Sequence, residues 1–237
     1  CDGYGYGSDG GAWGGEILHC SLELTEFFRL GHLEAQPLLG GDLASRYPLR
    51  LATGILQKAG VNVEDWLLQN RTHLPHGETE AKLILKQLKV GKGTFETTSC
   101  GRVLDAVAAV LGVCFERSYE GEPAMKLESI ALAGKDILKL QPQVKGDVLE
   151  TSELIRAIFD SLGRGSTADL AYSAHVYLAK GLAELAIEGA NAKNVKNVGF
   201  SGGAASNQIL ARLISESVES AGLRFFVHEV VPAGDGG

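Results

Sequence analysis

The chain has 237 residues, of which 45% are hydrophobic and 22% are charged, a composition typical of one or two globular domains with a sizeable core. Its net charge of −7 argues against nucleic acid as the main partner, because nucleic-acid-binding proteins usually present a basic face. No apolar run reaches the roughly 18 residues of a membrane span, and no secretory leader is recognisable, so we expect a soluble, cytoplasmic protein without a membrane partner.

The cysteines give no sign of a zinc site or a disulfide framework. Cys1, Cys20, Cys100 and Cys114 are far apart and none forms a CxxC pair, so a reducing compartment is expected. Because the chain starts with a cysteine and stops within a glycine-rich turn, we expect it to be a fragment of a longer protein.

Residues 2–16 form the most unusual stretch, with seven glycines, three carboxylates and three aromatic side chains. The aromatic residues predict an ordered loop and not a flexible linker. Glycines such as Gly3 and Gly5 allow backbone N–H groups to approach phosphate oxygens. Asp2 and Asp9 would repel a bare phosphate, so their presence favours a bound cation. The alternative is a glycine-rich turn between two strands.

The next segments predict ordinary secondary structure. Residues 16–24 are typical of one or two strands, and residues 37–42 of a turn that ends with Asp42 as a helix N-cap. The helix that follows is expected to continue through Ala59. Two further helices are predicted over residues 63–68 and 78–88.

Residues 97–109 predict a helix capped by Thr98 or Ser99. Gly101 and Asp105 lie four residues apart on a face of small side chains, where a flat ligand could approach closely. Asp105 could accept hydrogen bonds from ribose hydroxyls, as acidic residues do in other nucleotide sites. It could equally form an ion pair with Arg102 in a helix-packing face. The apolar stripe of the helix comprises Val103, Leu104, Val107 and Leu111.

Two later segments carry further signals. Gly121 precedes a predicted helix, in which Glu122 is a favourable acid in the first turn. Residues 136–150 are the best candidate for a boundary between subdomains. Helices are expected over residues 151–162 and 167–187.

Residues 195–207 combine a short apolar strand, the glycines Gly202 and Gly203, and a helix that starts near Asn207. A strand, glycine turn and helix in this order can aim helix N–H groups at a phosphate, although many α/β proteins use glycines only for the turn. Another strand is expected over residues 223–227.

Taken together, five segments resemble motifs of one family. Residues 2–16 resemble DGxGYGxDGxxWGGE, residues 101–112 resemble GRLFDAVAALLG, residues 119–124 resemble YEGEAA, residues 201–207 resemble SGGxxxN, and residues 231–237 resemble VPxxDGG. These are motifs of the C-terminal, Kae/TsaD-like domain of the HypF family, the carbamoyltransferases of hydrogenase maturation.

This resemblance implies an α/β, actin-like ATPase fold, incomplete at both ends, with two lobes around a nucleotide cleft. Residues 1–145 would be the first part of the domain and residues 146–237 the second lobe. ATP and a divalent metal (Mg, Fe or Zn) would be cofactors, with Asp2 and Asp235 as metal ligands. The implied nucleotide-binding residues are Gly3, Gly5, Gly101, Asp105, Gly121, Glu122, Gly202, Gly203 and Asn207. The two chain ends are therefore expected to meet.

The implied reaction transfers a carbamoyl group from carbamoyladenylate, itself derived from carbamoyl phosphate, to the C-terminal cysteine of a HypE-type partner. The HxxxH pair that the family places upstream of the glycine-rich loop is absent from this sequence. We therefore expect this chain alone to bind nucleotide weakly and not to turn over. The alternatives are a tRNA threonylcarbamoyl transferase-like enzyme and a non-catalytic nucleotide-binding module that docks a partner protein.

Overall fold

The computed structural model describes residues 1–3, 5–21, 26–91 and 94–234. Ten strands run through this part of the chain, most of them short. In chain order they are β1 (Gly5–Tyr6), β2 (Ala12–Trp13), β3 (Glu16–Cys20), β4 (Phe27–Leu33), β5 (Gln36–Leu39), β6 (Thr94–Thr97), β7 (Val144–Lys145), β8 (Val148–Leu149), β9 (Asn197–Phe200) and β10 (Arg224–Val227).

Nine α-helices lie within the same described ranges. They are α1 (Asp42–Arg46), α2 (Pro48–Lys58), α3 (Glu64–Gln69), α4 (Gly77–Val90), α5 (Cys100–Val110), α6 (Glu122–Ala131), α7 (Ser152–Asp160), α8 (Thr167–Lys193) and α9 (Gln208–Ser220). Two 3₁₀ turns, Arg71–His73 and Gly203–Ser206, complete the helical structure.

The strands form three small sheets, two of which are mixed. One has the order β1-β2-β6-β5 and another β3-β4-β8-β7, while β9 and β10 form a parallel pair. The neighbours β2 and β6, and β4 and β8, are parallel, and the other pairs in the four-stranded sheets are antiparallel. The predicted α/β class is confirmed.

Helix α5 lies in the centre of the hydrophobic core. Every one of its residues except Gly101 is buried, because α2, α6, α7 and α8 pack around it. Its N-cap is Ser99, whose Oγ accepts a hydrogen bond from the Arg102 amide at 3.1 Å. The predicted helix and one of its two candidate caps are therefore confirmed. Burial on all sides means that polar groups on α5 must find partners inside the protein or in a ligand.

The segment around Asp42 differs from the prediction. Residues Gln36–Leu39 are a strand, and Asp42 is the first residue of α1, with Gly41 in the N-cap position. The expected single helix is divided in two at Tyr47, which is extended at φ −117° and ψ 87°. Pro48 explains the division, because proline disfavours the α-helical conformation in the residue before it but suits the first helical position.

The longest helix, α8, extends six residues beyond its predicted end at residue 187. Ser166 caps its start by accepting from the Asp169 amide, and Asn194 ends it in the left-handed region at φ 53°. The extra turns pack against the sheet that contains β3 and β4, where Ala190 is buried. Tertiary packing thus extends the helix past the point where its apolar pattern weakens.

The predicted boundary between residues 145 and 146 falls in a tight turn. Gly146, at φ 65°, connects the antiparallel strands β7 and β8. The division of the chain into two lobes stays a prediction. None of the helices in the four described ranges has the length and apolar character needed to cross a bilayer.

Gly15 occupies a position where a side chain has no space. A Cβ atom there would lie 2.2 Å from the carbonyl oxygen of Thr98 and 2.7 Å from the Leu33 side chain. We expect Gly15→Ala to lower the free energy of unfolding by about 2 kcal/mol, since overpacking a well-packed site costs about 1 to 3 kcal/mol. Urea unfolding followed by circular dichroism measures this change.

Gly199 offers a matched control for this prediction. It also lies outside the left-handed region, but a Cβ atom there would meet no atom within 4 Å. Gly199→Ala is therefore expected to leave stability unchanged or to raise it slightly. Equal effects of the two substitutions would contradict the packing described for Gly15.

Candidate functional site

A cleft of about 290 Å³ opens where five segments of the chain meet: the N-terminus, α5, the start of α6, the turn after β9, and the segment that ends at Gly234. It is lined by Asp2, Gly3, Gly101, Arg102, Leu104, Asp105, Glu120, Gly121, Ala124, Met125, Glu128, Gly203, Ala204, Ser206, Asn207 and Gly234. The residues of this set that were predicted from sequence are Asp2, Gly3, Gly101, Asp105, Gly121, Gly203 and Asn207.

The two ends of the described chain lie side by side at this cleft, as expected. The Ala204 amide donates to the Cys1 carbonyl oxygen at 3.1 Å, and the Gly202 amide donates to the Ala233 carbonyl oxygen at 2.9 Å. Asp2 Oδ1 accepts hydrogen bonds from its neighbour Gly3 at 2.6 Å and from the Gly203 amide at 3.3 Å. The loops at residues 1–3 and 202–204 are thereby tied together.

Two glycines beside the cleft, one in the turn after β9 and one in α5, are required by close backbone approach. Gly202 has φ +91°, and a Cβ atom there would lie 2.2 Å from the Cys1 carbonyl oxygen. At Gly101 a Cβ atom would lie 3.0 Å from the Cα atom of Gly3. These glycines let three backbone segments converge, so the small-residue face predicted on α5 packs against the N-terminal loop beside the cleft.

Asp105 forms the ion pair that the sequence left open and also lines the cleft. Its Oδ2 lies 2.9 Å from Arg102 Nη1, and both side chains are at least 96% buried. No described residue donates a hydrogen bond of good geometry to either carboxylate oxygen, although the Ala124 amide lies close enough to lower the pKa of Asp105. Burial raises the pKa of Asp105 to about 6, although the charge of Arg102 opposes this shift. The carboxylate therefore retains the capacity to accept hydrogen bonds from a ligand.

Asn207 is held by two contacts on its side chain. Its Oδ1 accepts from the Leu210 amide at 3.0 Å and so caps α9, as the predicted helix start near Asn207 requires. Its Nδ2 lies 3.1 Å from Nε2 of the buried His175, whose Nδ1 lies 2.8 Å from the Ala171 carbonyl oxygen. This arrangement requires the neutral tautomer with the proton on Nδ1. Burial lowers the pKa of His175 to about 4, consistent with a neutral ring.

Three other predicted residues do not line the cleft. Gly5 lies in β1 opposite Trp13. Gly202 lies in the turn after β9 and packs against the backbone of Cys1. The Glu122 carboxylate forms an ion pair with Lys126 at 2.7 Å and accepts hydrogen bonds from Ser118. The Lys126 and Ser118 contacts lower the pKa of Glu122 to about 2. Glu122 thus stabilises the start of α6, where Gly121, in the left-handed conformation, faces the cleft.

Comparison with known proteins places the whole chain in one family. A family model described as "Carbamoyltransferase, Kae1-like Domain, second subdomain" matches residues 1–237. The chain belongs to the HypF family. It is 41% identical over 238 residues to the probable carbamoyltransferase HypF of Methanocaldococcus jannaschii, with all of the chain covered but only 30% of that relative.

Two solved HypF structures resemble this HypF-family chain. The crystal structure of T. kodakarensis HypF has a TM-score of 0.89 and 44% identity, with 100% of the chain and 31% of that protein covered. A full-length HypF in the phosphate- and nucleotide-bound form has a TM-score of 0.84 and 30% identity, with 99% and 36% covered. The chain therefore spans about a third of the length of each of these HypF proteins.

The structure also places in the cleft three charged residues that were not predicted from sequence as site residues. Glu120 and Glu128 line it together with Arg102. Glu128 accepts a hydrogen bond from the Gln208 amide at 2.6 Å, and burial raises its pKa. Arg102 and Glu120 belong to the motifs at residues 101–112 and 119–124. Their sequence signal is a charged side chain within a motif that has no role in capping a helix. No sequence signal joins Glu128 to the turn after β9.

Of the two predicted metal ligands, Asp2 and Asp235, only Asp2 lies among the described residues. Asp235 lies outside them, and Asp2 Oδ1 already accepts two backbone hydrogen bonds. No group of three or more His, Cys, Asp or Glu side chains that could hold a metal ion occurs in the part of the chain that the structure describes. These residues alone do not fit a metal centre, and the assignment of Asp2 and Asp235 to a metal stays a prediction.

The neutral state of His175 has a consequence for stability. A pKa of about 4 in the folded chain against about 6.5 in the unfolded chain means that the unfolded state binds more protons between these values. Stability is then present above pH 6.5 and is lost as the pH falls toward 4. Between pH 7 and pH 5 we expect His175 to account for a loss of about 2 kcal/mol in the free energy of unfolding.

The variant His175→Gln isolates this effect because glutamine does not titrate. The raised pKa of Asp105 gives the opposite pH dependence, but parent and variant share it, so it cancels in their difference. Guanidinium unfolding of both proteins at pH 7 and pH 5 measures the loss. An equal loss in both would show that the pKa of His175 is not lowered in the folded protein.

Proposed function

We propose that this chain supplies the nucleotide-binding cleft of a HypF-type carbamoyltransferase. One observation carries the proposal: segments far apart in the sequence, around Gly3, Asp105, Gly121 and Gly203, converge on one cleft whose walls consist mainly of small residues and acids. Such walls let a flat ligand lie close to the backbone. The nucleotide-bound form of a full-length HypF supports the assignment.

Within this proposal Asp105 accepts hydrogen bonds from the ribose hydroxyls. It is the one fully buried carboxylate among the described cleft residues, and no well-aligned donor from that part of the chain reaches its oxygens. In this proposal the phosphates lie beside the loops around Gly3 and Gly203, which border the same cleft and are held together by Asp2. Asn207, oriented by His175, then adds a fixed polar side chain at the base of the second loop.

The reaction proposed is transfer of a carbamoyl group from carbamoyladenylate, derived from carbamoyl phosphate and ATP, to the C-terminal cysteine of a HypE-type partner in hydrogenase maturation. The names of the curated relatives support carbamoyl transfer. The cleft contributes by orienting the mixed anhydride, since correct placement of the reacting groups lowers the barrier more than tight binding does. An actin-like ATPase fold with two lobes is part of the same proposal.

Calorimetric titration of the chain with ATP, with and without Mg²⁺, tests the nucleotide site. We expect weak but saturable binding with one site per chain. The variant Asp2→Asn keeps the oxygen that accepts the two backbone hydrogen bonds but removes the charge. If a metal bridges Asp2 and the phosphates, this variant binds ATP more weakly in Mg²⁺ but not in its absence. No heat of binding at millimolar ATP in either condition would contradict the proposal.

The carbamoyl transfer step requires a separate assay. Mass spectrometry of a HypE-type partner, incubated with carbamoyl phosphate, ATP and a HypF whose matching segment is this chain, reports carbamoylation of the C-terminal peptide. Modification that continues undiminished in Asp105→Ala would favour a docking module without a catalytic nucleotide site. Retention of tRNA on a filter at moderate salt would favour the threonylcarbamoyl transferase alternative.

A further inference from the structure

Arg102 has an unusual position at the base of the cleft. Its side chain is 4% exposed, and its guanidinium group lies between the N-terminal loop and Asp105. Nη1 is held by Asp105 at 2.9 Å and by the Ser45 carbonyl oxygen at 3.3 Å. Nη2 lies directly beneath Gly3, 3.1 Å from where a Cβ atom of that residue would be. One edge of the guanidinium is therefore fixed, and the other faces the loop that borders the cleft.

The hydrogen-bonding capacity of Arg102 is only partly used. Nε is buried and has no acceptor, and Nη2 makes no hydrogen bond to any residue in the described ranges. A buried guanidinium with unused donors is costly unless an acceptor arrives. Since Nη1 is already occupied, Nε and Nη2 are the donors that remain for a ligand oxygen beside Gly3.

The charges that line the cleft also indicate that Arg102 binds an anionic group. Four carboxylates line it, from Asp2, Asp105, Glu120 and Glu128. Arg102 is the one basic side chain among the described lining residues. An anionic ligand would be repelled by this set of acids unless a cation compensates, because like charges at short range in a partly desolvated cleft repel each other strongly. Arg102 is the resident group that can provide this compensation.

We propose that Arg102 binds the phosphate nearest the ribose of a nucleotide, through Nε and Nη2, while Asp105 and Ser45 hold Nη1. This inference rests on the nucleotide site proposed above and names the residue that recognises the anionic part of the ligand. The planar fork of arginine suits two oxygens of one phosphate. The ion pair with Asp105 then has a second role: it holds the guanidinium in register while Asp105 itself receives the ribose.

Binding of AMP and of adenosine by the parent chain and by Arg102→Met tests this inference, because the two ligands differ only in the phosphate. We expect Arg102→Met to lower the affinity for AMP roughly 10- to 100-fold, the range of a charge-assisted hydrogen-bonding contact. Its affinity for adenosine is expected to change by less than about threefold. A purely structural role of Arg102 would instead lower both affinities together and would overturn the inference.

Arg102→Lys covers the case in which the methionine variant does not fold. Lysine keeps a positive charge for Asp105 but lacks the fork, so the ratio of AMP to adenosine affinity is expected to fall several-fold while the thermal midpoint stays near that of the parent. An unchanged ratio overturns the inference. Equal affinity of the parent for AMP and adenosine also overturns it while leaving a nucleoside site intact. A parent that binds neither ligand contradicts the proposed function itself.

Discussion

Replacing Arg50 with methionine is expected to lower the free energy of unfolding by about 3 to 5 kcal/mol, the cost of leaving one partner of a buried ion pair uncompensated. Arg50, 5% exposed, donates from Nε to Glu80 Oε1 at 2.8 Å and from Nη1 to the Leu39 carbonyl oxygen at 3.0 Å. Glu80, 3% exposed, also accepts from the His76 amide. One network thus joins α2 and α4 to the end of β5.

Arg212 provides the matched control, since it pairs with Glu216 at 3.0 Å but both side chains are more than half exposed. Arg212→Met is expected to change stability by less than about 1 kcal/mol. Denaturant unfolding of both variants at pH 7 gives the comparison. An Arg50→Met variant that loses no more unfolding free energy than Arg212→Met would contradict this prediction. It would show that Glu80 retains no uncompensated charge in the folded variant.

Replacing Asp105 with alanine is expected to weaken ATP binding by at least about 100-fold, provided that the cleft holds the nucleotide as proposed. Two hydrogen bonds from ribose hydroxyls to a charged acceptor contribute about 1.5 to 3 kcal/mol each, and the variant loses both. The titration belongs at pH 7.5, because the pKa of Asp105 is raised to about 6. Below that pH the parent loses part of the same contribution.

Asp160→Ala is the control for Asp105, because Asp160 also pairs with an arginine on its own helix but is exposed. It is expected to bind ATP like the parent. Removal of Asp105 also leaves Arg102 unpaired, so the thermal midpoint of each variant is recorded alongside. Asp105→Asn keeps the shape of the side chain but also removes its charge, so its thermal midpoint shows how much of the effect comes from the unpaired Arg102. Parent-like ATP affinity in a folded Asp105→Ala would contradict the role given to this residue.

Local signals in the sequence predicted much of the helical structure. Ser99 caps α5 and Asn207 caps α9, and both are residues whose side chains accept from the first turn of a helix. The one wrong helix was the segment after Asp42. There the apolar pattern runs on without a break, while the proline at position 48 imposes a boundary that the pattern does not show.

Those residues of the candidate site that belong to sequence motifs could be predicted from the sequence. Gly3, Asp105 and Gly203 belong to three motifs, and the structure brings all three to one cleft. The contact between His175 and Asn207 could not be predicted, because the residues are 32 positions apart and no motif contains the histidine. Buried polar pairs of this kind depend on tertiary packing, which residue patterns along one element do not encode.

A nucleotide is proposed to lie between α5 and the loop at Gly203. A crystal structure of the chain soaked with a non-hydrolysable ATP analogue tests it most directly. We predict ribose density within hydrogen-bonding distance of Asp105 and phosphate density between Gly3 and Gly203. A second cleft of about 310 Å³, mainly apolar, lies between β3 and β9 and is lined by none of the predicted site residues. Nucleotide density in that cleft, with the first one empty, would contradict the account.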